Sequence, residues 1–285
     1  MSIKANNLGH VYSVGAPFEH VALDGINLEI PEGKITAIIG ETGSGKSTFV
    51  QHLNALLLPT SGSVDVDGFH IESKTKLKDA KKLRQKVGLV FQFPEYQLFE
   101  ETIGKDIAFG PKNFGVSEEE ALDRARKVLP AVGLNESFMD RSPFELSGGQ
   151  KRRVAIGGIL VQEPDVLVLD EPAAGLDPQG AQEMMNLFVK LNKEEGKTVL
   201  LVSHDMEHVL KYCDEVVVLD HGKVAMQTDT KEFFQHPEWM EKMGIEPPAV
   251  VRFKKMLTDR GFKIDQTNFD LDKLVEEVSG QVNHE

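Results

Sequence analysis

The sequence is poor in cysteine, in aromatic residues and in long apolar runs. Its 285 residues include a single cysteine, Cys213, which excludes an internal disulfide and a cysteine-based zinc site. No apolar stretch approaches the roughly 20 residues that a membrane-spanning helix needs. The longest, residues 154–161, contains two glycines. A basic opening followed by an apolar region is also missing, so neither a membrane span nor an export signal is expected. Positive charge is in deficit: 32 Lys and Arg face 45 Asp and Glu, for a net charge of −13. A long polyanion such as nucleic acid is therefore disfavoured as a partner. What remains, 40% hydrophobic and 27% charged residues, is the balance of a globular chain with a buried core, and the lone thiol suits a reducing compartment.

Short β-type runs dominate the N-terminal part, at residues 3–8 and 21–30, broken at Pro31-Glu32-Gly33. Residues 34–39 read as a buried strand that ends in a glycine-rich turn. Residues 47–58 then read as a helix closed by Pro59. Strand-like runs at 63–66 and 87–91 flank a lysine-rich segment, 74–86, expected to be solvated. From about 95 to 160 the pattern is mainly helical, and Ser117 followed by three glutamates predicts a helix start. β-type runs return at 165–169, 198–202 and 215–219, separated by helical stretches. That alternation predicts an α/β layer with a largely parallel sheet. Beyond about Met226 two short helices are expected.

Two patterns carry chemistry. Gly40-Glu41-Thr42-Gly43-Ser44-Gly45-Lys46-Ser47 fits the phosphate-loop pattern, between a strand and a helix. Its glycines let several backbone N–H groups converge on one anion, and the helix N-terminus adds positive potential. Lys46 is expected on the β- and γ-phosphates and Ser47 on Mg²⁺, with Thr48 completing the ATP cradle. The dinucleotide fingerprint is absent from this turn, which disfavours NAD. The second pattern is an apolar strand, 166–169, that ends in Asp170 and Glu171. Asp170 would hold Mg²⁺ through a water, and Glu171 would act as general base toward an attacking water.

Leu146-Ser147-Gly148-Gly149-Gln150, followed by Lys151-Arg152-Arg153, resembles the signature of the ATP-binding cassette (ABC) ATPases. The resemblance implies that two cassettes meet head to tail, so that Ser147, Gly148, Gly149 and Gln150 cap the ATP held by a partner. It further implies that Tyr12 stacks on adenine and that Gln92 senses Mg²⁺ and the attacking water. Gly175-Leu176-Asp177 is similar to the loop through which the two sites communicate, with Asp177 acting in trans. His204 is similar to the switch histidine on the γ-phosphate. The fold implied is a P-loop, RecA-like core, with an N-terminal antiparallel β subdomain and a helical subdomain inserted at about 95–160. The cassette would span 1–225 and a small extension 226–285. His204-Asp205-Met206-Glu207-His208 also fits a zinc-protease pattern, H-x-x-E-H. His204 at a strand-to-helix junction should point away from His208, which argues against zinc.

Within this family, residues 92–99 (Gln-Phe-Pro-Glu-Tyr-Gln-Leu-Phe), the opening Gly40-Glu41-Thr42-Gly43 and Gln51-His52-Leu53-Asn54 resemble the ATPases of energy-coupling factor (ECF) transporters. The match is closer to the second of their two paired ATPases. The resemblance implies an ATPase at the cytoplasmic face of the cell membrane, powering import of vitamins or transition-metal ions. Its partners would be a paralogous ATPase, a transmembrane scaffold subunit and a substrate-binding membrane subunit, and nucleic acid would not be among them. Alternatives are the ATPase of a conventional importer of amino acids or metal ions, a soluble ABC protein of DNA repair or translation, and a non-hydrolysing module; the presence of Glu171 argues against the last. Glu95, Glu100 and Glu101 around Tyr96, Leu98 and Phe99 suit a groove for a basic amphipathic helix, or else a solvated loop over core aromatics. Trp239, Met240 and Met243 would either pair the two ATPases or pack on their own domain.

Overall fold

A computed structural model describes residues 3–73 and 80–282. Among the described residues, the β-type runs form ten strands in two sheets. Strands β1 (Ile3–Tyr12), β2 (His20–Ile30), β4 (Ser61–Val66) and β5 (Phe69–Glu72) make an antiparallel sheet in the order β2-β1-β4-β5. The larger sheet has the order β10-β9-β3-β8-β7-β6, built from β3 (Ile35–Ile39), β6 (Val87–Val90), β7 (Val166–Asp170), β8 (Thr198–Val202), β9 (Glu215–Asp220) and β10 (Lys223–Asp229). All of its pairings are parallel except β9 with β10. This is the expected α/β architecture.

The central strands are apolar at nearly every position because both faces are covered. Leu167, Leu169, Val199, Leu201, Val216 and Val218 enter one core, shared with the helices. Their neighbours Val166, Val168, Leu200, Val202, Val217 and Leu219 enter another, shared with the antiparallel sheet and Phe49 and Leu53 of helix α1 (Lys46–Leu53). Between β6 and β7 lie α3 (Ile103–Asn113), α4 (Glu118–Ala131) and α5 (Gly148–Leu160), with α2 (Ala80–Lys86) preceding β6. Ser117 caps α4 as expected, its hydroxyl accepting from the Glu120 N–H. Helices α6 (Pro178–Glu195) and α7 (Met206–Tyr212) connect β7, β8 and β9. The lysine-rich segment expected to be solvated lies outside the described residues from 74 to 79.

Two local expectations are corrected. Helix α1 ends at Leu53, not near Leu58. Ala55 takes a left-handed φ of 53°, and the Arg84 guanidinium donates to the carbonyls of Asn54 and Ala55 at 3.4 and 3.2 Å. The helix is closed locally, the N–H groups of Ala55 and Leu56 donating back to the carbonyls of His52 and Gln51 at 3.1 and 3.0 Å, while Arg84 braces the turn just beyond it. After Met226 the described residues form four helices rather than two: α8 (Thr230–Gln235), α9 (Pro237–Lys242), α10 (Ala249–Asp259) and α11 (Leu271–Val282).

The alternatives left open for this region resolve toward packing. Phe233 and Met240 are fully buried in the helix-side core, with Trp239 and Met243 packed against it. The Trp239 ring stacks on His236 at 4.2 Å. Replacing Phe233 by Ala should therefore lower stability by about 3–5 kcal/mol, read from the urea-unfolding midpoint, and an unchanged midpoint would contradict this burial.

Candidate functional site

The strand order β3-β8-β7-β6 brings the ends of four parallel strands to one edge. From that edge emerge the phosphate loop after β3, Ser203-His204 after β8, Asp170-Glu171 at the end of β7 and Gln92 beyond β6. Tyr12, Thr42, Gly43, Gly45, Lys46, Ser47, Thr48, Gln92, Asp170, Glu171 and His204 line one cavity of about 400 Å³. Residues dispersed over nearly two hundred positions thus share one space.

Close packing enforces the loop's glycines. A Cβ on Gly40 would lie 2.1 Å from the Leu219 carbonyl oxygen, and one on Gly45 would lie 2.6 Å from that of Ala22. Gly45 takes φ 101° at the cap position of α1 and offers no capping side chain, which leaves the first N–H groups of the helix for an anion. Buried Lys46 folds back over the loop, its ammonium donating to the carbonyls of Gly40 and Glu41, both at 2.7 Å. Burial lowers the Lys46 pKa, while the charges of Glu171 and Asp170 oppose that shift. The Glu41 side chain turns away toward the C-terminal helices: a Cβ on Gly244 would lie 2.5 Å from its Oε1.

The two acids differ in their surroundings. Asp170 accepts from the Ser47 hydroxyl, but burial outweighs this and raises its pKa. Glu171 takes a left-handed φ of 51°, and its Oε1 accepts from the His204 backbone N–H at 2.9 Å. The His204 ring nitrogen Nε2 stands 3.7 Å from the same oxygen. Burial foremost, then the negative charges of Asp170 and Asp205, push Glu171 up to about 7. Burial and the Lys46 charge lower His204, so its ring is neutral near pH 7. The second histidine of the zinc pattern, His208, faces Asp205 at 3.3 Å instead. The hydroxyl of Ser47, the amide of Gln92 and the carboxylate of Asp170 form a hard oxygen set that fits Mg²⁺.

The signature residues are not in this cavity. Ser147 and Gln150 cap α5 reciprocally, the Ser147 hydroxyl accepting from the Gln150 N–H and the Gln150 side-chain oxygen Oε1 accepting from the Ser147 N–H. Gly148 faces open space. Asp177 caps α6, accepting from the Gly180 N–H at 2.8 Å. Within one chain, Leu176 in the loop after Glu171 lies 3.9 Å from where a Gly149 Cβ would be.

Arg152 is the residue that the sequence did not disclose. It is 2% exposed, and its fork grips Glu95 through Nε at 3.0 Å and Nη2 at 2.8 Å. Its Nη1 donates to the carbonyls of Pro172 and Ala174, just after Glu171. The guanidinium also lies 5.7 Å from the Phe93 ring centroid. Glu95 is thus no free docking charge, which corrects the expectation. Burial pushes Glu95 up, but the Arg152 hydrogen bonds and charge prevail and hold it below the usual carboxylate range. Leu98 is buried rather than on the surface. The exposed patch consists instead of Phe93, Tyr96, Phe99 and Phe109, with Tyr96 84% exposed.

Comparison with known proteins adds to this geometry. The chain matches the ABC transporter family over residues 23–174. It is 53% identical over 260 residues to the energy-coupling factor transporter ATP-binding protein EcfA2 of Ligilactobacillus salivarius (strain UCC118), covering 91% of this chain and 90% of that one. It is 51% identical over 278 residues to the EcfA2 protein of Clostridium perfringens, covering 97% and 96%. Among solved structures, CbiO1 of Clostridium perfringens, described as part of the ABC transporter complex CbiONQ, is similar with a TM-score of 0.73 and 40% identity over 89% of this chain and 98% of that one. The cassette MJ0796, in a post-hydrolysis dimer with ADP and phosphate, is similar with a TM-score of 0.71 and 32% identity, over 80% and 98%.

Two outcomes follow from the local geometry. With Glu171 as the expected base, which must be ionised to take a proton, kcat/KM for ATP should rise with pH through about 7. Asp205→Asn removes a charge that raises this value while keeping a helix cap, so it should move the rise to lower pH, measured by phosphate release; no movement contradicts the assignment. Glu95→Gln strands a buried guanidinium and should lower stability by about 3–5 kcal/mol in urea unfolding.

Proposed function

The chain belongs to the ABC transporter family and, within it, to the energy-coupling factor ATP-binding proteins, and we propose from this that it is the ATP-hydrolysing motor of a membrane importer of vitamins or transition-metal ions. The observation that carries the mechanism is the convergence of Lys46, Ser47, Gln92, Asp170, Glu171 and His204 on one cavity.

ATP would lie with its phosphates against the N–H groups of residues 40–48, where they take the Lys46 ammonium from the loop carbonyls it now bonds. Tyr12 would stack on the adenine. Ser47 and Gln92 would hold Mg²⁺, with Asp170 acting through a water; when bound, the ion neutralises charge on the β- and γ-phosphate oxygens. Glu171, oriented by the His204 N–H, takes a proton from the water that attacks the γ-phosphorus in line with the departing ADP. His204, neutral and beside that carboxylate, is placed to donate to the γ-phosphate.

The remaining parts act between molecules. Ser147, Gly148, Gly149, Gln150 and Asp177 would close over the nucleotide of a second, paralogous ATPase. The patch of Phe93, Tyr96, Phe99 and Phe109 would seat a helix of a transmembrane scaffold subunit, which in turn holds a substrate-binding subunit, placing this chain peripherally on the cytoplasmic face. We read 1–225 as the cassette, with a helical insertion at about 95–160, and 226–285 as an extension that supports pairing. Its exposed apolar residues Phe253, Met256, Leu271 and Val275 suit that contact better than buried Met240 does.

Glu171→Gln should bind ATP normally, lower kcat about 10²–10⁴-fold and run as an ATP-dependent pair on gel filtration, whereas Lys46→Ala should lose nucleotide affinity. Hydrolysis by Glu171→Gln at the normal rate would show that another group is the base. Tyr96→Asp with Phe99→Asp should abolish copurification of membrane subunits without changing ATP affinity; undiminished copurification would remove the patch from the interface.

A further inference from the structure

Two buried histidines that the reaction above does not use lie behind Tyr12. Helix α1, which starts at the phosphate loop, carries His52, and strand β1 carries His10 two residues before Tyr12. His52 is fully buried and His10 is 7% exposed. His52 Nδ1 lies 2.7 Å from the Thr48 carbonyl oxygen. Its Nε2 lies 3.1 Å from His10 Nδ1, which is also 3.2 Å from the Leu58 carbonyl oxygen. The His10 ring meets the Tyr12 ring edge to face, with centroids 4.5 Å apart and planes at 72°. The Tyr12 hydroxyl lies 3.2 Å from Thr48 Oγ1. The contacts therefore close a circuit, Tyr12–His10–His52–Thr48, with two members on β1 and two on α1.

The proton positions follow by elimination. A carbonyl oxygen only accepts, so His52 Nδ1 donates to Thr48. Burial pushes the His52 pKa down to about 4, so at neutral pH its Nε2 carries a lone pair and accepts. His10 Nδ1 must then be the donor, shared between His52 Nε2 and the Leu58 carbonyl. Histidine at position 52 supplies one donor and one acceptor on opposite sides of a rigid ring, which this circuit requires.

We propose that His10 and His52 are positioning residues that fix the Tyr12 ring relative to the phosphate loop, so that base platform and phosphate cradle are preset to the span of one nucleotide. The inference rests on the reading of Tyr12 as the adenine platform. It gives a role to His52 within the segment 51–54, which the mechanism leaves without one. Because the circuit acts through the base platform, its loss should weaken ATP while sparing a ligand that has phosphates alone.

The test compares Mg²⁺-ATP with Mg²⁺-tripolyphosphate, by calorimetry and by competition against hydrolysis, for His52→Phe, His10→Asn and Tyr12→Ala in the full chain. His52→Phe keeps a flat ring without donor or acceptor. His10→Asn keeps a donor near Nδ1 but removes the ring beside Tyr12, and it carries the test alone if His52→Phe fails to fold. Each histidine variant should raise the ATP KM about fivefold or more, with kcat and tripolyphosphate affinity within about twofold of the parent. Neither should weaken ATP further when added to Tyr12→Ala. Parallel loss of ATP and tripolyphosphate would overturn the proposal in favour of general loosening of α1. Normal ATP affinity in the histidine variants, with weakened affinity in Tyr12→Ala, would overturn the proposal alone. Normal affinity in Tyr12→Ala would overturn the adenine reading, and the inference with it.

Discussion

Strands that run the same way end at the same edge, and the site is a consequence of that constraint. Parallel pairing of β3, β8, β7 and β6 leaves no choice about where the loops after them emerge. Each strand end carries its own groups: amides and an ammonium after β3, an imidazole after β8, two carboxylates at the end of β7 and a carboxamide after β6. Apolar side chains on both faces of the sheet fix the register and thereby the relative heights of these groups. The cores are therefore part of the catalytic apparatus, although none of their atoms needs to touch a nucleotide.

Two carboxylates, one ammonium and one imidazole in a partly dry space set one another's protonation. The Glu171 and Asp170 charges support that of Lys46 against its burial, while burial, with the Asp170 charge behind it, pushes the Glu171 pKa up to about 7. A strand-end aspartate followed by a glutamate in a left-handed turn thus separates two chemically similar acids into different surroundings. Asp170 stays beside the Ser47 hydroxyl, and Glu171 is turned to the His204 amide.

What could be read from the sequence was local or periodic. The phosphate loop, the acids at the end of β7, the Ser117 cap and the alternation of strands and helices all depend on neighbours within a few residues, and each is where the pattern put it. The misreadings have different causes. Helix α1 stops early because Ala55, a residue that favours helix, takes a left-handed φ, and the Ala55 and Leu56 N–H groups turn back onto His52 and Gln51. Glu95 looked like a surface charge because Arg152, 57 residues away, is its partner. Arg152 itself sat in a basic run, Lys151-Arg152-Arg153, whose composition gives no sign that the middle guanidinium is buried while Lys151 and Arg153 are only partly covered. The C-terminal helices α8 and α9 were ambiguous because Met240 could cover either its own core or a neighbour's, and only packing decides.

The reciprocal cap at the start of α5 has a consequence for partner choice. Ser147 and Gln150 each bond the other's backbone, and two side-chain-free glycines follow Ser147, so the face turned outward is largely main chain. Main chain is the same in every polypeptide. On the proposed head-to-tail pairing, a neighbour's nucleotide would meet it identically whether that neighbour is a sister copy or a diverged relative, so discrimination between self and non-self would have to be written elsewhere on the molecule.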